Sequence, residues 1–220
     1  AGVELIPYRA VVTGPHTVEA GGAAYEAAHI LVAAGSEPAL PPIPGLDTPG
    51  VVTSDGLLSD LRPLDRLAII GGGVIGVELA CVWAAAGARV TILEAAPRLL
   101  PTLERELGQS LAAQLRQDGV EVFTGAGVTG VAPGPAVAFT HRGEADAVLV
   151  ATGRRPATGG LFAGDLLPEL ERGFLRVDGQ FRTSIPSLYA IGDAIGGAML
   201  AHKAEAEGRF VADLLLGRAP

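Results

Sequence analysis

A single cysteine, Cys81, denies this chain of 220 residues an internal disulfide and any cysteine-based metal site. Cys81 falls in the turns after a glycine-rich stretch, where it reads as a small buried packing residue. Histidine is nearly as scarce. His16, His29, His141 and His202 are scattered without metal-ligand spacing, so no metal site is expected. Positive charge is also short: 16 Lys and Arg face 24 Asp and Glu, the net charge is −8, and Lys203 is the one lysine. No basic run interleaves with aromatics, which argues against nucleic acid and anionic membrane as partners. No signal-like segment opens the chain, and the apolar stretch over residues 67–93 is broken by Glu78, Arg89 and several glycines. It is therefore no membrane span, and a soluble, cytoplasmic protein is expected. Aromatics make up only 5% of the residues while Ala, Gly and Val abound, a composition suited to parallel sheet packed by small-residue helices. The length suffices for one large or two modest domains.

What the chain does have is concentrated between Leu67 and Glu94. Leu67-Ala-Ile-Ile reads as a buried strand, Gly71, Gly73 and Gly76 stand in G-x-G-x-x-G spacing, and a helical run follows through Trp83. Gly87 stops the helix, and a second strand ends on Glu94. This spacing permits a tight turn, close approach of a pyrophosphate, and close packing of helix on strand. The helix N-terminus supplies unpaired N–H groups and a positive dipole end for the phosphates. Gly71, Gly72, Gly73, Val74, Ile75, Gly76, Val77 and Glu78 thus form a candidate dinucleotide site. A carboxylate at Glu94 can accept both adenosine ribose hydroxyls and would repel a 2′-phosphate, favouring NAD over NADP. Arg98 is the nearby residue that could alter that choice.

Residues 1–35 read as an antiparallel meander feeding an inner strand, His29–Ala33. Prolines 38, 41, 42, 44 and 49 forbid regular structure from Ser36 to Gly50, which reads as a crossing between domains. A short helix is expected over 51–64, with Ser54 and Asp55 able to cap it. Another is expected to begin at Pro101, with Leu103, Leu107, Leu111 and Leu115 on one face, and to end at Gly119. The strand Val120–Thr124 follows. A second meander is expected through 128–131, 136–140 and 145–152, then a turn-rich return linker over 158–179. A short strand ends on Gly192-Asp193, where α/β sheets place ligand contacts, and a helix is expected over 198–216, closed by Gly217.

The chain also repeats itself. Leu31-Val-Ala-Ala-Gly35-Ser-Glu-Pro38 matches Leu149-Val-Ala-Thr-Gly153-Arg-Arg-Pro156, each after a meander and a buried strand. The second copy has its glycine turn 78 residues upstream of Leu149; the first would have its own before Ala1. The sequence therefore reads as an excerpt of α/β class. A Rossmann-like NAD-binding βαβ unit with an antiparallel meander, residues 51–152, is inserted in the remnant of a second Rossmann-like unit, residues 1–50 and 153–220.

Ala33-Ala34-Gly35-Ser36, the stretch from Gly71 to Glu78, Glu94, Ala151-Thr-Gly-Arg-Arg-Pro156, Tyr189-Ala-Ile-Gly-Asp193 and Met199-Leu-Ala-His-Lys-Ala-Glu-Ala-Glu-Gly208 together resemble the class I pyridine nucleotide-disulfide oxidoreductases. Among them the dihydrolipoamide dehydrogenases are the most similar. The resemblance implies that Gly71 to Glu78, Glu94, Val128 and Gly153 hold NAD. It places Glu78 near nicotinamide and flavin, where the family pairs it with a lysine this chain lacks. It assigns Asp193 to the flavin ribityl chain, Met199, Leu200, Ala201 and His202 to the isoalloxazine, and Ala10, Ala34, Gly35 and Ser36 to the rest of an FAD site. Ala34 stands where the family usually has threonine.

The departures are a missing Cys-x-x-x-x-Cys pair, a missing first FAD fingerprint, and a missing dimer domain with the catalytic His-Glu pair. His202 is no substitute, because its family counterpart contacts flavin. The resemblance thus implies an intact parent passing electrons from dithiol to FAD to NAD, as a homodimer and as a component of a 2-oxoacid dehydrogenase complex. The 220 residues alone would have no catalytic residue and would hold FAD weakly or not at all. A stand-alone NAD-binding module or subunit, and a related flavoprotein NADH oxidase or reductase, are the alternatives.

Overall fold

A computed structural model describes residues 2–60, 62–132, 136–138 and 142–218. His141, Leu61 and the end of the strand expected over 136–140 lie outside them. The chain divides into two units, residues 1–37 with 155–220, and residues 38–154.

The first unit opens with β1 (Ala10–Gly14), β2 (Thr17–Ala20) and β3 (Ala23–Glu26), a three-stranded antiparallel sheet. Gly21 and Gly22 both have positive φ, +60° and +82°, as the two-residue turn between β2 and β3 requires. Then come β4 (Ile30–Val32) and β5 (Ser36–Pro38). The second strand corrects the expectation of irregular structure from Ser36. It belongs to a two-stranded ribbon, which has only edge strands, and there a proline is tolerated.

The second unit runs β6 (Val51–Thr53), α1 (Ser54–Ser59), β7 (Arg66–Ile70), α2 (Val74–Ala85), β8 (Arg89–Glu94), α3 (Arg105–Gln117), β9 (Glu121–Thr124), β10 (Gly130–Ala132), β11 (Ala136–Ala138), β12 (Arg142–Glu144) and β13 (Ala147–Val150). Five strands make one sheet in the order β6-β13-β7-β8-β9, and every neighbouring pair is parallel. Side chains alternate between its faces. Leu67, Ile69, Ile92 and Leu149 pack with Val77, Ala80 and Trp83 of α2 in one core cluster. Ala68, Ile70, Leu93 and Val148 pack with Val131 of the meander in another. Both faces are thus covered, which explains why these strands read as unbroken apolar runs.

Several expectations in this unit are corrected. The helix expected over 51–64 is a strand followed by one short helix: β-branched Val51-Val52-Thr53 suits a strand, and Val51 pairs with Val148. Thr53, rather than Ser54 or Asp55, caps α1, its hydroxyl accepting the Gly56 N–H at 3.5 Å. Helix α3 starts at Arg105 instead of Pro101, and it buries Gly108, Ala112 and Leu115 while Leu103 and Leu107 are exposed. Gly108 decides that face, since a Cβ there would sit 2.4 Å from the Leu99 carbonyl oxygen. Cys81 is exposed, because α2 buries Gly76, Val77, Leu79, Ala80 and Trp83 on the side facing the sheet.

Asp146 ties off the start of β7. Its carboxylate accepts the Asp65 N–H at 3.2 Å and the Arg66 N–H at 2.8 Å, and pairs with the Arg66 guanidinium at 3.0 Å. The Arg66 side-chain hydrogen bond above all, helped by the two amides and the guanidinium charge, holds this carboxyl below the usual aspartate range. Its contribution to stability is full above the unfolded aspartate pKa of about 3.9. It is lost as pH falls through the lower folded value, because the unfolded chain takes the proton first. Asp146→Asn is expected to flatten the acid limb of urea-unfolding stability below about pH 4. Parallel pH curves for the two proteins would refute it.

The first unit resumes after β14 (Arg154–Pro156), the partner of β5 in the ribbon, and Glu37 and Arg155 pair at 2.8 Å. The expected linker over 158–179 contains a hairpin, β15 (Leu170–Glu171) and β16 (Phe174–Leu175). Leu175 is fully buried with Val12, Ile30, Val32 and Leu188, so this stretch contributes to the core. Strand β17 (Leu188–Ala190) pairs parallel with β4, and a 3₁₀ turn spans Gly192–Ile195. Helix α4 (Ala201–Leu215) begins three residues later than expected, with Leu200 still extended, and Gly217 closes it at φ +69°. Among the described residues no helix is long and apolar enough to cross a membrane.

Candidate functional site

The glycines between β7 and α2 answer to different neighbours. Gly71 adopts φ +112°, and a Cβ there would lie 2.4 Å from the Ala151 oxygen. At Gly76 a Cβ would lie 2.0 Å from the Gly71 oxygen, so this glycine sets how closely α2 packs on its own turn. A Cβ on Gly72 would meet Leu99 at 2.4 Å and Glu94 at 3.0 Å. Gly73 is different: it caps α2 in extended conformation without a side-chain bond, and a Cβ on it would meet nothing within 4 Å. The first amides of α2 have no intrahelical acceptor.

Glu94, at the end of β8, reaches this turn. One carboxylate oxygen accepts the Gly72 N–H at 2.6 Å and the other accepts the Ala96 N–H at 2.6 Å. These are short, charge-assisted bonds. Arg98 is turned elsewhere, its guanidinium donating to the carbonyls of Leu103 at 2.7 Å and Pro101 at 2.8 Å. The segment after Glu94 was not singled out in the sequence, yet it forms a wall of the turn. Leu99 is fully buried against Gly72, and the Leu100 N–H donates to the Gly72 carbonyl at 2.9 Å from a left-handed backbone, φ +49°. A non-glycine residue in that region carries strain that its surroundings must hold.

Of the other residues singled out in this unit, Val74 and Glu78 lie exposed on α2, Ile75 is half-buried, and Val77 is buried in the core. Gly153 follows β13 with φ +132°, two residues beyond the carbonyl that confines Gly71. Val128 instead packs against the cluster of Ala68, Ile70, Leu93 and Val148 on the other face of the sheet.

In the first unit the parallel pair β4 and β17 brings two distant segments together at its C-terminal end. The Ser36 hydroxyl donates to the Asp193 carboxylate at 2.6 Å, across 157 residues of sequence. Gly35 stands beside them with φ +71°, and Ala34 is exposed. Helix α4 is fastened to the Asp193 turn: Gly192 donates its N–H to Glu207 at 2.7 Å, and Lys203 donates to the Gly196 carbonyl at 3.0 Å. Leu200, Ala201 and His202 are exposed at the start of α4, Met199 is half-buried just before it, and Ala10 opens β1. Lys203 and Glu207 were not foreseen as site residues. Their i, i+4 spacing on a helix was the available signal. Among the described residues no three His, Cys, Asp or Glu gather into a metal-holding group.

Residues 1–208 match the pyridine nucleotide-disulphide oxidoreductase family. The dihydrolipoyl dehydrogenase of Chlorobaculum tepidum is 38% identical over 100% of this chain and 50% of its own length. That of Trypanosoma brucei brucei is 39% identical over 89% of this chain and 44% of its own. A Cu(II) complex of the HOCl-induced flavoprotein disulfide reductase of Escherichia coli superposes with a TM-score of 0.89 at 35% identity, covering 97% of this chain and 51% of that one. The chain spans about half the length of the curated relatives it matches. On the family match and these identities, the chain belongs to the pyridine nucleotide-disulphide oxidoreductase family.

Proposed function

We propose that residues 51–152 bind NAD(H), and that residues 1–50 with 153–220 supply part of an FAD site, within an oxidoreductase of dihydrolipoamide dehydrogenase type. The observation that carries the reading is Glu94 seated on the Gly72 amide beside the open backbone of Gly73. An ionised carboxylate has about four acceptor positions. Two are taken by amides, and the remainder can receive ribose hydroxyls. Among the described residues nothing fills the space that a side chain on Gly73 would take, and a pyrophosphate against the α2 amides would account for glycine there. The Arg98 guanidinium is engaged by two carbonyls and is not turned to receive a 2′-phosphate, which the Glu94 carboxylate would repel.

In this reading the Asp193 and Ser36 pair, Ala34, Gly35, Ala10 and the stretch Met199 to His202 hold the ribityl and ring parts of FAD. When bound, the two cofactors supply hydride and electron-pair transfer between a dithiol and nicotinamide. The chain's own residues bind and orient; its one cysteine cannot form a redox pair by itself.

Titration calorimetry with both cofactors tests the assignment. NAD is expected to bind at least about tenfold more tightly than NADP, since a charge-assisted hydrogen bond contributes roughly 1.5 to 3 kcal/mol. Glu94→Ala should erase that preference. Equal affinities in the unaltered protein would overturn the reading.

A further inference from the structure

Glu207 and Lys203 form an ion pair at 2.8 Å whose side chains are only 10% and 25% exposed. The other i, i+4 pair on α4, Glu205 with Arg209, is 62% and 77% exposed. The buried pair has a second set of partners. Glu207 accepts the N–H of Gly192, the first residue of the 3₁₀ turn, at 2.7 Å, and Lys203 donates to the carbonyl of Gly196, the residue after its last, at 3.0 Å. The pair therefore grips the turn at both ends. Asp193, second in that turn, is the residue whose carboxylate receives the Ser36 hydroxyl at 2.6 Å. Gly192 needs φ +70° to begin the turn, and a Cβ there would meet the Ala204 methyl at 3.2 Å, so α4 lies directly against it.

We propose that Glu207 is a positioning residue: held by Lys203, its carboxylate fixes the Gly192–Ile195 turn and so sets where Asp193 meets a hydroxyl-bearing ligand chain at the ends of β4 and β17. The ligand part rests on the flavin reading above; the grip on the turn does not. A buried carboxylate is costly unless paired and hydrogen-bonded, and here one oxygen serves the lysine and the other the amide. Loss of the acceptor frees the Gly192 amide, and Asp193 follows.

The test uses the whole chain. Because Glu207→Gln strands the Lys203 charge and can unfold the protein, the double variants K203M/E207L and K203M/E207Q are compared, both removing the two charges. The first removes the Gly192 acceptor and the second retains an amide oxygen. K203M/E207L is expected to speed hydrogen exchange at the Gly192 amide at least about tenfold and to raise the FAD dissociation constant at least about fivefold, with NAD affinity unchanged. K203M/E207Q should restore most of both, a rescue that general loss of packing would not give. Glu205→Gln should alter neither. Unchanged Gly192 exchange in K203M/E207L overturns the proposal, as does wild-type flavin affinity in that variant where Asp193→Asn weakens binding. An Asp193→Asn variant with unaltered flavin affinity strikes the flavin reading instead, and Gly192 exchange then decides the role of Glu207 alone.

Discussion

Gly73→Ala is expected to leave thermal stability within about 0.5 kcal/mol of the parent while weakening NAD at least roughly tenfold. Gly76→Ala should damage both. The two glycines are three residues apart in one motif, but a Cβ on Gly73 meets nothing within 4 Å and its backbone is extended, whereas one on Gly76 would lie 2.0 Å from the Gly71 oxygen. The second contact forces α2 off its turn, and overpacking of this kind costs about 1 to 3 kcal/mol. Any penalty at Gly73 must come from a ligand brought against that backbone, so the comparison separates folding from binding. Melting curves and calorimetry on the two variants read it directly. Unimpaired NAD binding in Gly73→Ala would show that the dinucleotide lies elsewhere.

The second large effect is expected in the first unit. Purified chain should be colourless, bind FAD no more tightly than about micromolar, and self-associate. A G-x-G-x-x-G turn between a strand and a helix occurs among the described residues only between β7 and α2 of the second unit, so FAD bound to these 220 residues would lack a helix N-terminus of that kind for its pyrophosphate. Several charge-assisted hydrogen bonds at roughly 1.5 to 3 kcal/mol each would be forgone. The internal repeat shows what β4 lacks. Strand β13 has β6 and β7 on its two edges and Leu149 is 0% exposed, whereas among the described residues β4 pairs only with β17 and Leu31, the counterpart of Leu149, is 41% exposed. An open edge with an apolar face invites pairing with another chain. Leu31→Lys should shift the protein toward monomer in gel filtration with light scattering. A yellow monomer retaining stoichiometric flavin would contradict both parts.

Much was legible in the sequence because periodicity and turn chemistry are local. The strand from Leu67, the helix through Trp83, the stops at Gly87 and Gly119, and the repeat at Leu31 and Leu149 needed only neighbouring residues to be read. The errors share one cause. Cys81 on α2, Leu103 and Leu107 around α3, and Val51 to Thr53 each depended on what the rest of the fold places opposite them. A helix as apolar as α2, where Glu78 is the one charged residue, does not announce its buried face, and Gly108, without a side chain, carried no apolar signal although its contact with Leu99 sets the face of α3.

By itself the sequence determined the parallel α/β class, the glycine turn, the carboxylate at Glu94 and the single cysteine of these 220 residues, because each is a matter of residue type and spacing along the chain. Only the tertiary structure decided that Glu94 grips Gly72, that Arg98 is taken up by Pro101 and Leu103, that Ser36 meets Asp193, and that Lys203 and Glu207 hold the turn between them. These are directional contacts between groups on separate elements. Strand order, helix rotation and a few tenths of an ångström fix them, and none of those quantities is written in local sequence.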